Sequence, residues 1–239
     1  MAPFGASRAG LMSVAKDEIP DSGVPNELYR WNGVEIGVSD GTSPFNWPES
    51  IAGLDDADAI GEPTFRSDQG GVPASEYDGT DDAHGATPNG NAPEGSEDIS
   101  VFVTAWFNSI DDHAVFDESG NDSEGFHLGI RDDGDVIVVA EGGANPTAGV
   151  SVDTGEWVTL GVSFNASNND GEAFYNGSGG GRESGTDIDL SGSLYEFARR
   201  RGSEWYHDGY LFDVTVADAD EPESVHSDYH NNMMDHING

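Results

Sequence analysis

The chain has 239 residues, of which 46 are acidic and 9 are basic, and its formal net charge is −37. This charge excludes nucleic acid as an expected partner, because neutralising phosphates requires clustered Lys and Arg. With no cysteine, disulfides, thiolate-bound zinc, iron–sulfur clusters and cysteine nucleophiles are excluded too. Hydrophobic residues make up 35% of the chain, enough for one domain with an arm at either end.

The type of basic residue carries further information. Lys16 is the only lysine, and the other basic residues are arginines. A domain this acidic repels itself unless counterions screen its charges. The composition therefore predicts a high-salt organism or one of its viruses as the source, with an acidic surface protein from a mesophilic organism as the alternative.

The first 16 residues contain no acid, so every carboxylate side chain lies after them. A small, apolar, slightly cationic segment before an anionic body predicts an N-terminal docking arm over residues 1–25. The side chains expected to make its contacts are Phe4, Arg8, Leu11, Met12 and Lys16. A frayed terminus is the alternative. The segment is a poor secretory signal, and no run of about 18 apolar residues predicts a membrane span.

Residues 17–92 have the character of loops, because prolines interrupt any long element there. Two short pieces within them, Leu28–Trp31 and Ala74–Tyr77, resemble strands. From Ile99 onwards, apolar and polar residues alternate in several segments that Asp-Gly and Asn-Gly turn signals separate. A period of two predicts strands with one buried face.

Two segments, Val101–Phe107 and Val136–Ala140, are apolar on both faces and are predicted as central strands. Trp106 and Trp157 lie in strong strands and are predicted as core residues. The class predicted from these patterns is all-β, with a β-sandwich as the architecture.

A short C-terminal helix is predicted to begin near residues 220–223, where acids accompany a proline. Val225, Tyr229 and Met233 would lie on one side of it. The predicted domains are a docking arm over residues 1–25, a sandwich over 26–218, and a helix or tail over 219–239.

His226 and His230 have the spacing of a metal pair on a helix. Ser227, however, occupies the position at which a zinc protease has Glu. We therefore expect these to be solvated histidines on the terminal helix.

Several short motifs occur in a family-like order: Trp47-Pro48, Pro63–Arg66, Tyr77–Asp82, Ile99–Phe107, Gly155–Val158, Phe174–Gly177 and Asp208–Val216. Together they resemble the concanavalin A-like lectin/glucanase superfamily in its laminin G-like form, over roughly residues 26–230. The resemblance implies a jelly-roll β-sandwich. It does not identify a ligand, because this fold hosts lectins, glucanases, adhesion modules and structural domains. The opening Pro3–Leu11 also resembles the start of virion proteins of tailed phages.

The glucanase branch of that superfamily uses a Glu-x-Asp-x-Glu strand that places two carboxylates for retaining hydrolysis. The nearest segment here, Thr186–Leu190, lacks both glutamates. We therefore expect the chain not to be an enzyme.

Many laminin G-like domains bind calcium at a loop edge, so the resemblance leaves a cation open. The candidate ligands are Asp78, Asp81, Asp82 and Asp208. Acidic turns that cap strands and hydrate the surface are the alternative. We assign no metal ligand and no cofactor, although calcium or another hard cation is the type that carboxylate oxygens would favour.

The only basic cluster, Arg199, Arg200 and Arg201, is followed by the aromatic pair Trp205 and Tyr206. Arginine forks beside exposed aromatic rings could bind an anionic glycan or a carboxylate-rich partner. In the alternative, the arginines pair with acids of the protein itself and Tyr206 enters the core.

Two functional hypotheses follow. In the first, the chain is a non-catalytic structural or adhesion subunit in the virion of a haloarchaeal tailed virus, as a capsid turret, decoration or tail-fibre module. It would be repeated as a homo-oligomer in a symmetric particle, bind other virion proteins through its arm, and bind host surface glycans. In the second, it is a carbohydrate-binding or carbohydrate-processing domain of an extracellular haloarchaeal surface protein.

Overall fold

The computed structural model describes residues 18–51, 56–88, 92–93, 95, 97–118, 125–140, 143–186, 188, 190, 194–200 and 205–239. Its strands in chain order are β1 (Glu27–Asn32), β2 (Asp58–Ile60), β3 (Thr64–Gln69), β4 (Val72–Asp78), β5 (Ala83–Ala86), β6 (Ile99–Phe107), β7 (His113–Glu118), β8 (Phe126–Ile130), β9 (Asp135–Ala140), β10 (Thr147–Ser151), β11 (Trp157–Asn165), β12 (Asp170–Tyr175), β13 (Ser178–Gly179), β14 (Glu183–Ser184), β15 (Tyr195–Phe197) and β16 (Asp208–Ala217). A 3-10 turn (Gly33–Glu35) follows β1, and the helix α1 (Glu223–Asn238) closes the chain.

The strands form two antiparallel sheets. The first has the order β13-β12-β11-β6-β16-β4-β3, with β1 also paired to β16 and β14 to β12. The second has the order β10-β9-β8-β7-β15-β5-β2. The predicted all-β sandwich with a short C-terminal helix is confirmed.

The core lies between the two sheets, where alternating side chains from both inner faces meet. In β11, Val158, Leu160 and Val162 join this core, while Thr159 pairs across to Thr104 of β6 on the outer face. This is the period-two pattern of a strand with one buried face. The long central strands therefore fold as their sequences predict.

The helix α1 packs on the outer face of the first sheet. Tyr229 and Met233 are buried there against Phe102 and Phe212 in a second apolar cluster. Val225 is half-buried beside them, so the predicted apolar side of the helix is confirmed.

The prediction that His226 is solvated is wrong. This side chain is only 3% exposed, and its ring stacks on Phe102 and Phe174 with centroids 4.2 and 3.6 Å away. Its Nε2 lies 2.8 Å from Ser163 Oγ. Gly161 makes this possible, because a Cβ there would overlap the imidazole.

The prediction that Trp106 and Trp157 are core residues is confirmed for Trp157 and is wrong for Trp106, which is half-buried. Ala105 and Phe107 of β6 face the core between the sheets, so Trp106 between them faces outward. Trp157 is buried, but it belongs to the cluster under α1. Because β6 is apolar on both faces, its pattern could not show which face the helix covers.

The proline-rich region forms more strand than its composition suggests. The two strand-like pieces fall within β1 and β4, as predicted. Pro73 is accommodated at the start of β4, where that strand is not yet paired with β16, so its missing N–H costs no bond to that neighbour.

Part of the predicted arm contacts the body. Val24 is 8% exposed and belongs to the apolar cluster under α1. The five arm side chains singled out in the sequence lie outside the described residues, so the docking arm stays a prediction.

Among the described residues, no helix is both long enough and apolar enough to cross a membrane.

Candidate functional site

A cleft of about 420 Å³ opens at one end of the sandwich. Three segments that are distant in sequence form it: the end of β4, the β6–β7 loop, and the chain entering β16. Its lining residues are Asp78, Gly79, Ser109, Asp111, Asp112, His113, Trp205, Tyr206 and Asp208.

Sheet pairing brings these segments together. Asp208 of β16 pairs in register with Asp78 of β4. On the other side of β16, the backbone N–H of Asn108 donates to the carbonyl of Asp208 at 3.0 Å. The first residue of β16 is therefore held between the two other walls of the cleft.

The Asp208 carboxylate is fixed by two side-chain donors. The Asn108 amide donates to Oδ1 and the Ser109 hydroxyl donates to Oδ2, each at 3.0 Å. Gly79 has a φ of +74°, and a Cβ there would come within 2.9 Å of the Asp208 Cβ. A residue larger than glycine would push this carboxylate out of place.

Two histidines support the cleft from beneath. His113 is 2% exposed, and its Nδ1 lies 2.9 Å from the Tyr206 carbonyl oxygen. The His207 ring is 5.7 Å from the His113 ring, centroid to centroid. Burial, together with the nearby His113, lowers the pKa of His207 to about 3, so this histidine is neutral and adds no positive charge to the cleft.

Trp205 stands at the wall of the cleft and is half-buried. The Arg200 guanidinium lies over its ring, with Cζ 5.6 Å from the centroid, within the range of a cation–π contact. The ring meets His127 edge-on at 5.0 Å. These two contacts hold the indole in a defined orientation.

In the fold, Arg199 and Arg200 of the arginine cluster contact different partners. Arg199 makes two hydrogen bonds to the Glu196 carboxylate, at 3.0 and 2.6 Å, and Arg200 packs on Trp205. Arg201 lies outside the described residues. The fork of Arg199 is therefore already engaged by an acid of the protein itself, whereas Tyr206 lines the cleft beside Trp205.

The cleft is strongly acidic. Carboxylates of Asp78, Asp111, Asp112 and Asp208 line it, and no arginine or lysine is among its lining residues in the described part of the chain. Such a surface disfavours an anionic ligand by like-charge repulsion.

Three of the four candidate cation ligands lie together. Oxygen atoms of Asp78, Asp81 and Asp82 fall within 4.8 Å of one another, a donor type that suits a hard cation. Asp78 accepts a bond from Thr80 N at 2.8 Å and Asp82 from Glu62 N at 2.6 Å, so the turn itself uses two of these carboxylates. In the part of the chain that the structure describes, nothing beyond the cluster points to a bound ion, and we assign none.

The sequence reasoning missed the β6–β7 loop. Ser109, Asp111, Asp112 and His113 line the cleft but belong to none of the predicted motifs. The run Asn108–Asp112 between two strong strands was the available signal. This loop meets the start of β16 because β16 pairs with both β4 and β6. The local sequence does not encode that pairing.

Solved structures with a similar fold include a domain of a glycan-degrading enzyme and the binding domains of neurotoxins. Domain 4 of AbnA, an extracellular GH43 arabinanase of Geobacillus stearothermophilus, was solved in complex with arabinotriose. It is 11% identical with a TM-score of 0.59, over 80% of this chain and 100% of that domain. The binding domain of botulinum neurotoxin serotype G is 10% identical with a TM-score of 0.63, over 86% of this chain and 50% of that one.

A botulinum neurotoxin type C structure, from work on cell entry that depends on two ganglioside molecules, is 10% identical with a TM-score of 0.60. It is matched over 86% of this chain and 51% of that one. This chain therefore spans about half of these neurotoxin chains. The likeness is one of fold.

No protein-family model and no curated protein sequence matches the chain. The similarity thus supports the β-sandwich fold and does not identify a ligand.

Proposed function

We propose that this chain is a non-catalytic carbohydrate-binding domain whose cleft takes a neutral glycan. The observation that carries the proposal is the composition of the cleft wall: the aromatic rings of Trp205 and Tyr206 stand beside fixed hydrogen-bonding groups of Asp78, Ser109 and Asp208.

This combination matches the surface of a sugar. A pyranose or furanose ring has an apolar face of C–H groups that packs on an aromatic ring, and its hydroxyls donate to carboxylates. Ionised acceptors form stronger hydrogen bonds than neutral ones. A cleft with one aromatic wall and a few fixed polar groups has the make-up of a small-molecule site.

The charge of the cleft sets the class of glycan. Four carboxylates line it, and the Arg199 fork is bonded to Glu196. An anionic glycan would meet repulsion, so we propose a neutral glycan in place of the anionic one expected from the arginine cluster and its aromatic pair.

The similar structures support this proposal by analogy only. The arabinanase domain was solved with arabinotriose bound, and the type C neurotoxin work concerns gangliosides. The arabinotriose complex, whose ligand is a neutral sugar, supports the proposal more directly than the neurotoxin, of which this chain matches only about half.

A glycan array probed in molar potassium chloride tests the proposal. The full chain is expected to bind neutral glycans and not to bind sialylated or sulfated glycans. Trp205→Ala should weaken that binding by about tenfold to a hundredfold, the cost of truncating an aromatic hot spot. Trp31→Phe, in the buried core, is the matched control. Preference for the acidic glycans, or unchanged binding by Trp205→Ala, would overturn the assignment.

As a narrower hypothesis, we infer that the domain is an adhesion subunit of a haloarchaeal virus particle. The support is the sequence: a −37 charge and an acid-free arm over residues 1–16. A cell-surface haloarchaeal protein is the alternative. Deleting residues 1–16 should leave a folded domain that no longer incorporates into particles, measured as copy number per virion. Incorporation at the wild-type copy number would move the contact to the sandwich.

A further inference from the structure

A second cavity, of about 400 Å³, lies on the outer face of the first sheet at the C-terminal end of α1. The cleft described above, lined by Trp205 and called the Trp205 cleft from here on, shares no lining residue with this cavity. Its lining residues are Gly70, Trp106, Glu156, Trp157, Asn176, His230, Met234, Ile237 and Asn238.

Two tryptophans from adjacent strands form its floor. Trp106 and Trp157 are paired in register, and their rings meet edge-on with centroids 5.8 Å apart. Trp157 Nε1 donates to the Gln69 carbonyl at 3.1 Å, which fixes that ring. Trp106 remains half-buried, with part of its surface open to the cavity.

The mouth is kept open by a glycine. Gly70 lies in the β3–β4 turn with a φ of +57°, and a Cβ there would stand 3.0 Å from Trp157 Nε1 and 3.3 Å from the Trp106 ring. Any side chain at this position would crowd both tryptophans.

Polar groups converge from the other walls. Asn176 accepts from Thr159 N at 2.9 Å through Oδ1, which leaves its NH₂ group as a donor. His230 uses Nδ1 at 3.0 Å from Thr159 Oγ1, which leaves Nε2. The exposed carboxylate of Glu156 supplies an acceptor. An aromatic floor with an amide, an imidazole and a carboxylate around it suits a ring that bears hydroxyls.

Strands β6 and β16 connect the two sites: Trp106 of β6 lines the cavity and Asp208 of β16 lines the cleft, although the two sets of lining residues do not overlap. Trp106 pairs with Tyr210 of β16. Asp208 lies two residues before Tyr210, so both side chains point to the same face, and Asn108, two residues after Trp106, donates to Asp208 Oδ1. Two residues along a strand span roughly 6.6 Å. This distance is comparable to the repeat of a polysaccharide.

From this placement we propose that the second cavity, called the Trp106 cavity, is a second sugar subsite of the same binding face. The ligand is then an extended neutral oligosaccharide that spans the Trp205 cleft and the Trp106 cavity. This inference rests on the proposed function of the Trp205 cleft. It adds that affinity depends on chain length and that the end of α1 takes part in binding.

The test titrates three series of linear neutral oligosaccharides from one to six units: α-1,5-arabino-, β-1,4-gluco- and β-1,4-manno-oligosaccharides. Isothermal calorimetry in molar potassium chloride compares the wild type with Trp106→Ala, Trp106→Phe and Met234→Trp. The last variant fills the cavity from the helix and leaves every residue of the sheet unchanged. Trp205→Ala is run in parallel, and circular dichroism checks each fold.

For the wild type, the affinity is expected to rise at least tenfold between the shortest bound sugar and the longest. Trp106→Ala and Met234→Trp should abolish this gain and leave the affinity for the shortest sugar unchanged, and Trp106→Phe should retain most of it. Trp205→Ala should weaken every length. A gain with length that survives in Trp106→Ala or in folded Met234→Trp overturns the second subsite but leaves the first, as does affinity independent of length. No binding of any series by the wild type overturns both.

Discussion

Four of the five histidines buried in the described part of the chain, His84, His127, His207 and His226, make the stability of the fold depend on pH. Burial lowers the pKa of His84 to about 4, and burial first, with nearby positive groups second, lowers the pKa values of His127, His207 and His226 to about 3. An unfolded histidine has a pKa of about 6.5. At pH values between the native and the unfolded pKa, the unfolded chain binds protons that the native chain does not bind. The free energy of unfolding therefore falls as the pH falls.

We therefore predict that the free energy of unfolding declines from about pH 6.5 towards pH 4, at constant salt. Burial raises the pKa of Glu27, Glu49 and Asp82, which offsets part of the decline near the acidic end of this range. His226→Gln should reduce the slope by about one proton, while His230→Gln, at a half-buried position, should reduce it less. Denaturant titrations at pH 8, 7, 6 and 5 measure this. A flat profile, or an identical slope in His226→Gln, would contradict it.

The helix α1 is held by a buried polar cluster as well as by apolar packing. Asp213 is fully buried and pairs with the Arg30 guanidinium at 2.7 Å. The Tyr229 hydroxyl donates to its Oδ1 at 2.9 Å and Asn32 donates to Oδ2 at 2.7 Å. A buried carboxylate is tolerated only when such donors surround it, so the helix completes the solvation of this acid.

Tyr229→Phe is accordingly predicted to lower the free energy of unfolding by about 1–3 kcal/mol, because it removes one donor from a buried charge. Tyr175→Phe, whose hydroxyl lies at the exposed edge, should change it by no more than about 0.5 kcal/mol. Chemical denaturation of both variants gives the comparison. Equal effects would mean that the Tyr229 hydroxyl contributes nothing specific.

For the strands and the helix, the sequence predicted where each element lies in the chain better than it predicted which elements pack beside one another. The alternation in β11 and β16 and the acids and proline before α1 are local signals, and the corresponding elements formed as expected. The burial of His226 in α1 depends instead on the missing side chain of Gly161 in β11, and the contact of Ser109 with Asp208 depends on which strands flank β16. Such features arise from pairing between distant segments, which no local pattern specifies.

For the whole molecule, charge is the dominant property. Arg30, Arg66, Arg182 and Arg199 form ion pairs with acids of the protein, but the chain has 46 acids and only 9 basic residues. Most carboxylates therefore repel one another across water. The Debye length shrinks from about 10 Å at 0.1 M salt to about 3 Å at 1 M.

We predict that the free energy of unfolding rises steeply between 0.1 and 1 M potassium chloride, because screening relieves this repulsion. Sucrose at the same water activity, which excludes itself from the surface without screening charge, should stabilise the fold much less. Far-UV circular dichroism follows the sheet signal, with divalent ions chelated. A sheet that persists unchanged at tens of millimolar salt would refute the high-salt interpretation.

The central claim is the location and chemistry of glycan binding. It is tested most directly by a crystal structure of the full chain grown in high salt with a neutral oligosaccharide that the array identifies. We predict a sugar ring packed on Trp205, with hydroxyls within hydrogen-bond distance of Asp78 and Asp208. A sugar bound on another surface, with the Trp205 cleft filled only by water, would contradict the account.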